Sequence, residues 1–293
     1  MTPAHVLLAM LVVVIWGVAF VATRIALDVF SAPQLTALRF LIAAAPAVWL
    51  ARPRLPWRTL TTVGLSLFAG QFLFQFFGIA LGMPPGLASV VVQTQALFTI
   101  LFSALALGER PSGRQWTGTA VAFTGLATIA ATVGHDLTVI GLCLTGASAV
   151  SWAIGNVLVK RLPPVSTLHL MVWLSLVPPL PALALSALLD GPSAILTALA
   201  AASWLQLGAV LYLGGVATVL AYAIWGQLLR RYPAATVAPF ALLIPFVAAA
   251  GSSLVFGERF GMLRLTGMGL VLLGLAVIVT TGRRCDIIAA HAD

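Results

Sequence analysis

Acidic side chains are scarce in this chain. Of 293 residues only Asp28, Glu109, Asp136, Asp190, Glu258, Asp286 and Asp293 carry a side-chain carboxylate. Charged residues of both signs make up 8% of the sequence, against 61% for the apolar set AVILMFWYC. A soluble domain devotes about a quarter of its residues to charge, so a water-facing globular surface is excluded and a membrane protein is indicated. Two cysteines, Cys143 and Cys285, make no disulfide framework, and the topology below sets them near opposite membrane faces. His5, His135, His169 and His291 fall in loops, at ends or at the start of a helix, so neither a proton relay nor a metal cluster assembles. No GxxxxGK[ST] phosphate loop is present, which argues against ATP drive by this chain. No cofactor and no enzymatic activity are expected.

What the chain has in abundance is long apolar runs. Crossing a bilayer core takes about 20 helical residues, and ten runs of that order lie between charged or Pro/Gly punctuation. Their cores are 4–26, 33–50, 59–81, 86–107, 114–132, 137–159, 166–189, 204–229, 234–256 and 262–281. The expected fold is therefore an all-α integral membrane protein with ten transmembrane helices. The first run has no Lys or Arg before it and no clear small-residue cleavage site after it, so it reads as a helix and not as a signal peptide. The net charge of +8 is a topology signal, because the basic residues come in small groups between apolar runs and form no nucleic-acid patch. With the N-terminus inside, one side collects Arg52, Arg54, Arg58, Arg110, Arg114, Lys160, Arg161, Arg230, Arg231, Arg283 and Arg284. The other side collects Arg24, Arg259 and Arg264, and Arg39 lies inside the second run. The positive-inside bias predicts that both termini are cytoplasmic.

Two runs end in the same three residues. ALALGERP at 104–111 and SLVFGERF at 253–260 share Gly-Glu-Arg, and Gly108 and Gly257 are 149 positions apart (257 − 108). Thr117-Gly118 recurs as Thr266-Gly267, and Gly125-Leu126-Ala127 as Gly274-Leu275-Ala276, at the same offset. Upstream, Ala88-Ser89-Val90 parallels Ala235-Thr236-Val237, and Trp16 with Arg24 parallels Trp152 with Lys160 at 136 positions (152 − 16). The pattern predicts two copies of a five-helix unit, 1–134 and 135–293. The second is longer by about a dozen residues, and GPSAILTALAAAS between the seventh and eighth runs is a place for them. Five is odd, so the second copy enters the membrane from the opposite face. Such an inverted repeat is a transporter architecture, with its site near the midplane. Glu109 and Glu258 then face opposite sides, either merely stopping helices at the interface or pairing with basic residues as latches at two gates.

The residues that carry the repeat also carry a family resemblance over almost the whole chain. Trp16, Gly17, Phe20 and Arg24 open the first helix, Arg39-Phe40 lies in the second, and Gly-Glu-Arg-Pro ends the fourth. In these features the chain resembles the EamA-type drug/metabolite transporter superfamily and, within it, the YddG-type bacterial amino-acid exporters. The resemblance implies a basket of ten helices in the bacterial inner membrane, exporting amino acids, aromatic ones among them, from cytoplasm to periplasm. One departure is that Asn156 stands where the first copy has Phe20, so the two halves of the cavity differ in chemistry.

Polar and aromatic residues three or four apart share a helix face, and inside an apolar run they need partners or water. The third run offers Gln71 and Gln75, with Phe74 and Gly78 beside them. The fourth offers Ser89 and Gln93, with Gln95 about 200° away from Gln93 on a continuous helix. The sixth offers Trp152 and Asn156, mates of Trp16 and Phe20, and the eighth offers Thr218, Tyr222 and Trp225. Candidate substrate-binding residues are thus Trp16, Phe20, Gln71, Gln75, Gln93, Trp152, Asn156, Tyr222 and Trp225. The competing reading of any one of them is an interhelical hydrogen bond or a place in the interfacial belt, which is the preferred reading for Gln95 and Trp204.

The gating or structural set is Arg39, Glu109, Pro239, Pro245 and Glu258. Arg39 lies six residues, about 9 Å, from the outer end of its run, within snorkelling reach; an anionic contact along the exit path is the alternative. Pro239 and Pro245 break the ninth helix's hydrogen-bond ladder, whereas Pro84 and Pro85 open the fourth helix. Gly118, Gly125, Gly267 and Gly274 read as sites of close helix packing.

A zwitterionic amino acid asks for hydrogen bonds to its carboxylate, carbonyls or ring faces for its ammonium, and apolar walls, which Gln, Asn, Trp and Tyr supply. With no acid deep in a span, export is expected to run down the substrate gradient by alternating access, without proton coupling. The expected partners are the amino-acid substrate and the lipid bilayer, with no nucleic acid and the chain a monomer. A carrier of drug-like or sugar-type solutes is the alternative reading. A membrane enzyme or lipid-handling scaffold would need a constellation of acids, histidines or cysteines that the sequence does not supply.

Overall fold

Short polar signals open the apolar runs. Ser31, Ser112 and Ser203 each cap a helix by accepting from the backbone N–H three residues on, while Gln34, Gln115 and Gln206 reach back to the cap. Thr138 caps another by accepting from the Gly141 N–H. These signals delimit, in the computed structural model, α1 (Pro3–Ala26), α2 (Ala32–Val48), α3 (Trp57–Ala80), α4 (Pro85–Leu107), α5 (Gly113–Ala130), α6 (Val139–Lys160), α7 (Thr167–Leu189), α8 (Trp204–Arg231), α9 (Thr236–Phe256) and α10 (Met262–Ala289). The structure describes residues 1–134 and 136–289, and the side chains of 234, 235 and 280–289 are not described. His135, Ala235, Arg283, Arg284, Cys285, Asp286, His291 and Asp293 therefore lie outside the described side chains.

Among the described residues all regular structure is helical. Eight helices, α1, α3, α4 and α6 to α10, are long and apolar enough to cross a membrane. α2 is a shorter apolar helix, and α5 begins with the polar sequence Gly113-Arg114-Gln115. A further short helix, Ala194–Ala201, occupies the α7–α8 connection, within the stretch that the sequence offers for the second unit's extra residues.

Several helices depart from regular winding, and the departures recur. α3 winds as a π-helix over Leu65–Gly70, and α8 does so over Tyr212–Leu220. α4 is interrupted at Thr94 and α9 at Leu242-Leu243, between Pro239 and Pro245. Thr94 and Leu243, each the cap of its helix's second half, are 149 positions apart (243 − 94). Pro84 and Pro233, which cap the first halves, have the same separation. Gly108 and Gly257 end α4 and α9 with the same left-handed φ of 68°, where a side chain would be strained.

The packing brings α5 against α10. A β-carbon on Gly118 would come within 2.6 Å of the Gly274 carbonyl oxygen, and one on Gly125 within 2.6 Å of that of Gly267. Residue number rises along one helix as it falls along the other, so the two cross antiparallel at glycine-lined contact. The rest of the apolar interior forms two main clusters. One joins α1, α2, α3, α7 and α8 around Phe40, Phe68 and Phe76; the other joins α1, α4, α5, α9 and α10 around Leu87, Leu97 and Ile129. Trp16 and Trp152 pack against both clusters, and the space between the clusters holds the site.

Candidate functional site

A cavity of about 280 Å³ lies at that junction. α1 lines it with Trp16, Phe20 and Thr23, α2 with Arg39, and α3 with Gln71, Phe72 and Gln75. α4 adds Ser89, Gln93 and Gln95, α6 adds Trp152, and α8 adds Tyr222 and Trp225. Small-molecule sites run from roughly 300 to 1,000 Å³, so this one suits a small solute. Among the described residues, none of the lining side chains is a carboxylate.

Several of the lining side chains are held by hydrogen bonds. The Trp16 indole N–H donates to the Ala217 carbonyl at 2.9 Å, and its ring lies 5.4 Å from Tyr222 and 5.2 Å from Trp225, centre to centre. Ala217 lies in the π-helical stretch of α8, and its carbonyl, with two lone pairs, takes the indole as a side-chain donor. Within the same stretch the Thr218 hydroxyl donates to the Leu213 carbonyl at 2.8 Å and accepts from Arg39 Nε at 3.2 Å. The Arg39 guanidinium carbon sits 4.0 Å from the Phe72 ring centre. Gln71 donates from Nε2 to Gln75 Oε1 at 2.7 Å, and its own buried Oε1 has no partner. Gln93 Nε2 donates to the Ala241 carbonyl at 2.9 Å, joining α4 to the broken segment of α9.

Of the nine candidate binding residues, eight line this one cavity, and Asn156 does not. Its Nδ2 donates instead to Gln95 Oε1 at 2.9 Å and Thr99 Oγ1 at 3.3 Å, joining α6 to α4 beside the cavity. Gln95 itself lines the cavity together with Gln93. The 200° separation expected of them holds for a continuous helix, and the interruption at Thr94 removes that premise. Arg39 is 4% exposed and its head faces the cavity, so it does not snorkel to the membrane surface. Its charge was visible in the sequence, but the direction of its side chain was not. Trp204 opens α8 fully exposed, and Phe74 faces outward from α3.

The two ends of the bundle differ. At one, Lys160 Nζ donates to both oxygens of Glu109 at 3.0 and 3.1 Å and to Ser103 Oγ at 3.0 Å, and Arg161 Nη2 donates to the Ala106 carbonyl at 2.7 Å. These bonds tie α6 to the end of α4. At the other end a cleft of about 850 Å³ opens among Arg24, Asp28, Met83, Pro84, Asp136 and Glu258. It lies about one helical turn, roughly 6 Å, beyond the central cavity, since Phe20, Gln75 and Ser89 line the cavity where Arg24, Ile79 and Pro85 line the cleft.

In the cleft Arg24 pairs with Asp28 on its own helix end, and Arg264 donates to both oxygens of Asp136 at 2.8 and 2.5 Å. Glu258 accepts from the Gly86 N–H at 3.0 Å and from the Ser252 hydroxyl, while its buried Oε1 has no hydrogen-bond partner. Burial raises the Glu258 pKa above the ordinary 4.5, and the Asp136 charge adds to the rise. The Ser252, Gly86 and Leu87 bonds oppose it.

The model of the EamA-like transporter family matches residues 4–131 and 139–280. A protein of Escherichia coli (strain K12) named as a probable amino-acid metabolite efflux pump is 39% identical over 279 residues, 93% of each chain. Its namesake from Salmonella typhimurium is 40% identical over the same share of each. A solved crystal structure that is 22% identical, covering 97% of this chain and 99% of its own, superposes with a TM-score of 0.64, which supports the overall helical fold. A family match over nearly the whole length, together with relatives near 40% identity, places the chain in the EamA-like transporter family.

Proposed function

We propose that this transporter exports amino acids across the bacterial inner membrane, by alternating access and without proton coupling. The observation that carries the reading is the central cavity. It is small, walled by Trp16, Phe20, Trp152, Tyr222 and Trp225, and supplied with amides from Gln71, Gln75, Gln93 and Gln95 and with one guanidinium. Those walls match a zwitterion with an apolar side chain, and the relatives named as probable amino-acid metabolite efflux pumps agree with it. A cavity without a carboxylate favours a uniporter over a proton-coupled carrier.

The architecture behind this is ten transmembrane helices, with α2 and α5 crossing beside the eight longer ones, arranged as inverted units 1–134 and 135–293. The family model's two matched stretches fit that division. The α5–α10 contact supports inversion more directly. Gly118 and Gly267 are repeat mates, as are Gly125 and Gly274, yet Gly118 meets Gly274 and Gly125 meets Gly267. Mates that exchange partners across an antiparallel contact are what a two-fold axis in the membrane plane produces. Both termini are cytoplasmic by the basic-residue count, and the unit is a monomer.

Inversion also pairs the two ends. Lys160, Glu109 and Ser103 are mates of Arg24, Glu258 and Ser252, at offsets of 136 and 149. The first trio is closed and the second is open, with Arg24 turned to Asp28. In the opposite conformation Arg24 bonds Glu258 as the Lys160–Glu109 pair parts. The test is efflux from liposomes loaded with labelled amino acids. Saturable release, at least tenfold weaker in Trp152→Ala and Gln75→Ala, is expected; no release from folded protein overturns the reading.

A further inference from the structure

Arg39 is a buried cation with unused donors facing the cavity. Its Nε goes to Thr218 and its plane lies near Phe72, and these two contacts hold the group in place. Its two terminal nitrogens make no hydrogen bond among the described residues, and neither counts among the fully buried orphan atoms. Among the described residues, the ion pairs join Arg24 to Asp28, Lys160 to Glu109 and Arg264 to Asp136, and none involves Arg39. A full charge inside a membrane span without a counter-ion is expensive, and such groups persist where they meet an ion on a transport path. A helix anchor alone would be served by the Thr218 bond, which any neutral donor could make.

We propose that Arg39 is the carboxylate-recognition group of the central cavity, so that the transported solute must carry a free carboxylate. The guanidinium is the suited residue: it is planar and always charged, and two parallel N–H groups match the two carboxylate oxygens. Phe72 and Thr218 fix the plane, leaving the terminal nitrogens free for a bidentate contact. The other end of an amino acid finds its complement in the rings of Trp16, Tyr222 and Trp225, which line the same cavity. A cation at one point and aromatic rings at another are the two poles that a zwitterion fills. The inference rests on the export function proposed above and specifies which part of the solute is read.

The experiment uses the purified full chain in liposomes, with leucine, leucinamide, 3-methylbutylamine and 4-methylpentanoate as probes. Trp16, Trp152 and Trp225 line the cavity, so fluorescence quenching reports binding in parallel with counterflow. Wild type is expected to favour leucine over leucinamide and over the amine at least tenfold. Arg39→Lys keeps part of that preference. Arg39→Gln brings the leucine-to-leucinamide ratio near one, a ratio that is read within a single protein and so is independent of expression level. Equal handling of leucine and leucinamide by wild type overturns the proposal without requiring any variant to fold. An unchanged ratio in Arg39→Gln overturns it as well. If wild type ignores every amino acid yet binds 4-methylpentanoate in an Arg39-dependent way, the carboxylate site stands and the amino-acid reading falls.

Discussion

Glu258 and Glu109 occupy matched sequence positions in unlike surroundings. Glu109 is half exposed against Lys160, whereas Glu258 is buried against Ser252 and Gly86 with one oxygen unpartnered. Burial lifts the Glu258 pKa above 4.5, so the protonated carboxyl suits this conformation. Stabilisation from a raised carboxyl is complete below pH 4.5 and is lost as the pH rises through the lifted value. The charged groups around it are Asp136, Arg264, Asp28, Arg24 and Arg259. Acidifying the face that carries the cleft is therefore expected to hold the cleft open. A cysteine at Ala80, which lines the cleft and is exposed, should then react faster with a thiol reagent as the pH falls, once corrected for thiolate content, and Glu258→Gln should flatten that dependence. The same slope in Glu258→Gln would show that Glu258 is not the group responsible.

The Lys160–Glu109 bridge joins helix ends and is solvent-accessible on both sides, so alone it contributes less than about 1 kcal/mol. A weak bond suits a gate that must open on every cycle. Glu109→Gln is expected to shift the population toward closure of the cleft. The exchange Lys160→Glu with Glu109→Lys should restore most of the activity that either single change removes, as measured by efflux. Failure of the double variant to exceed both singles would argue against a pairwise latch. The α5–α10 crossing differs from that bridge, because it is close-packed backbone against backbone. Gly118→Ala drives a methyl group into the Gly274 carbonyl, and overpacking of this kind costs roughly 1–3 kcal/mol. A lower unfolding temperature in detergent is expected, and an unchanged one would show that the backbones separate readily.

Much at this scale is legible in the sequence. Apolar length and charge spacing mark where helices lie, and Ser-x-x-Gln marks three of their starts. What periodicity cannot reveal is departure from ideal winding. Nothing in Gln93-Thr94-Gln95 signals an interruption, yet it brings both glutamines to one cavity. The π-helical turn that carries Ala217, the partner of Trp16, is equally silent. Arg39 shows a related limit: its depth along the helix axis follows from counting, but only packing against Phe72 and Thr218 sets where its head points. Asn156 is a partner of Gln95 for the same reason, since its neighbour across the helix interface is not encoded on its own helix.

As a whole, the molecule has a central cavity, a cleft about one helical turn beyond it at the Arg24 end, and a polar tie at the Lys160 end. In the alternating-access cycle proposed above this is one side, and the proposed inverted repeat would supply the other by exchanging the roles of matched residues. Among the described residues no carboxylate lines the cavity, which is the ground for the uncoupled export proposed above. The most direct test is counterflow of labelled amino acids into liposomes containing only the purified protein, run with and without an imposed pH gradient at equal internal and external amino-acid concentration. Saturable exchange reaching the same final level in both conditions, and falling in Trp152→Ala and Gln75→Ala, is the expected result. Concentrative uptake that appears only with the proton gradient would contradict uncoupled export and require a proton carrier within the transport path.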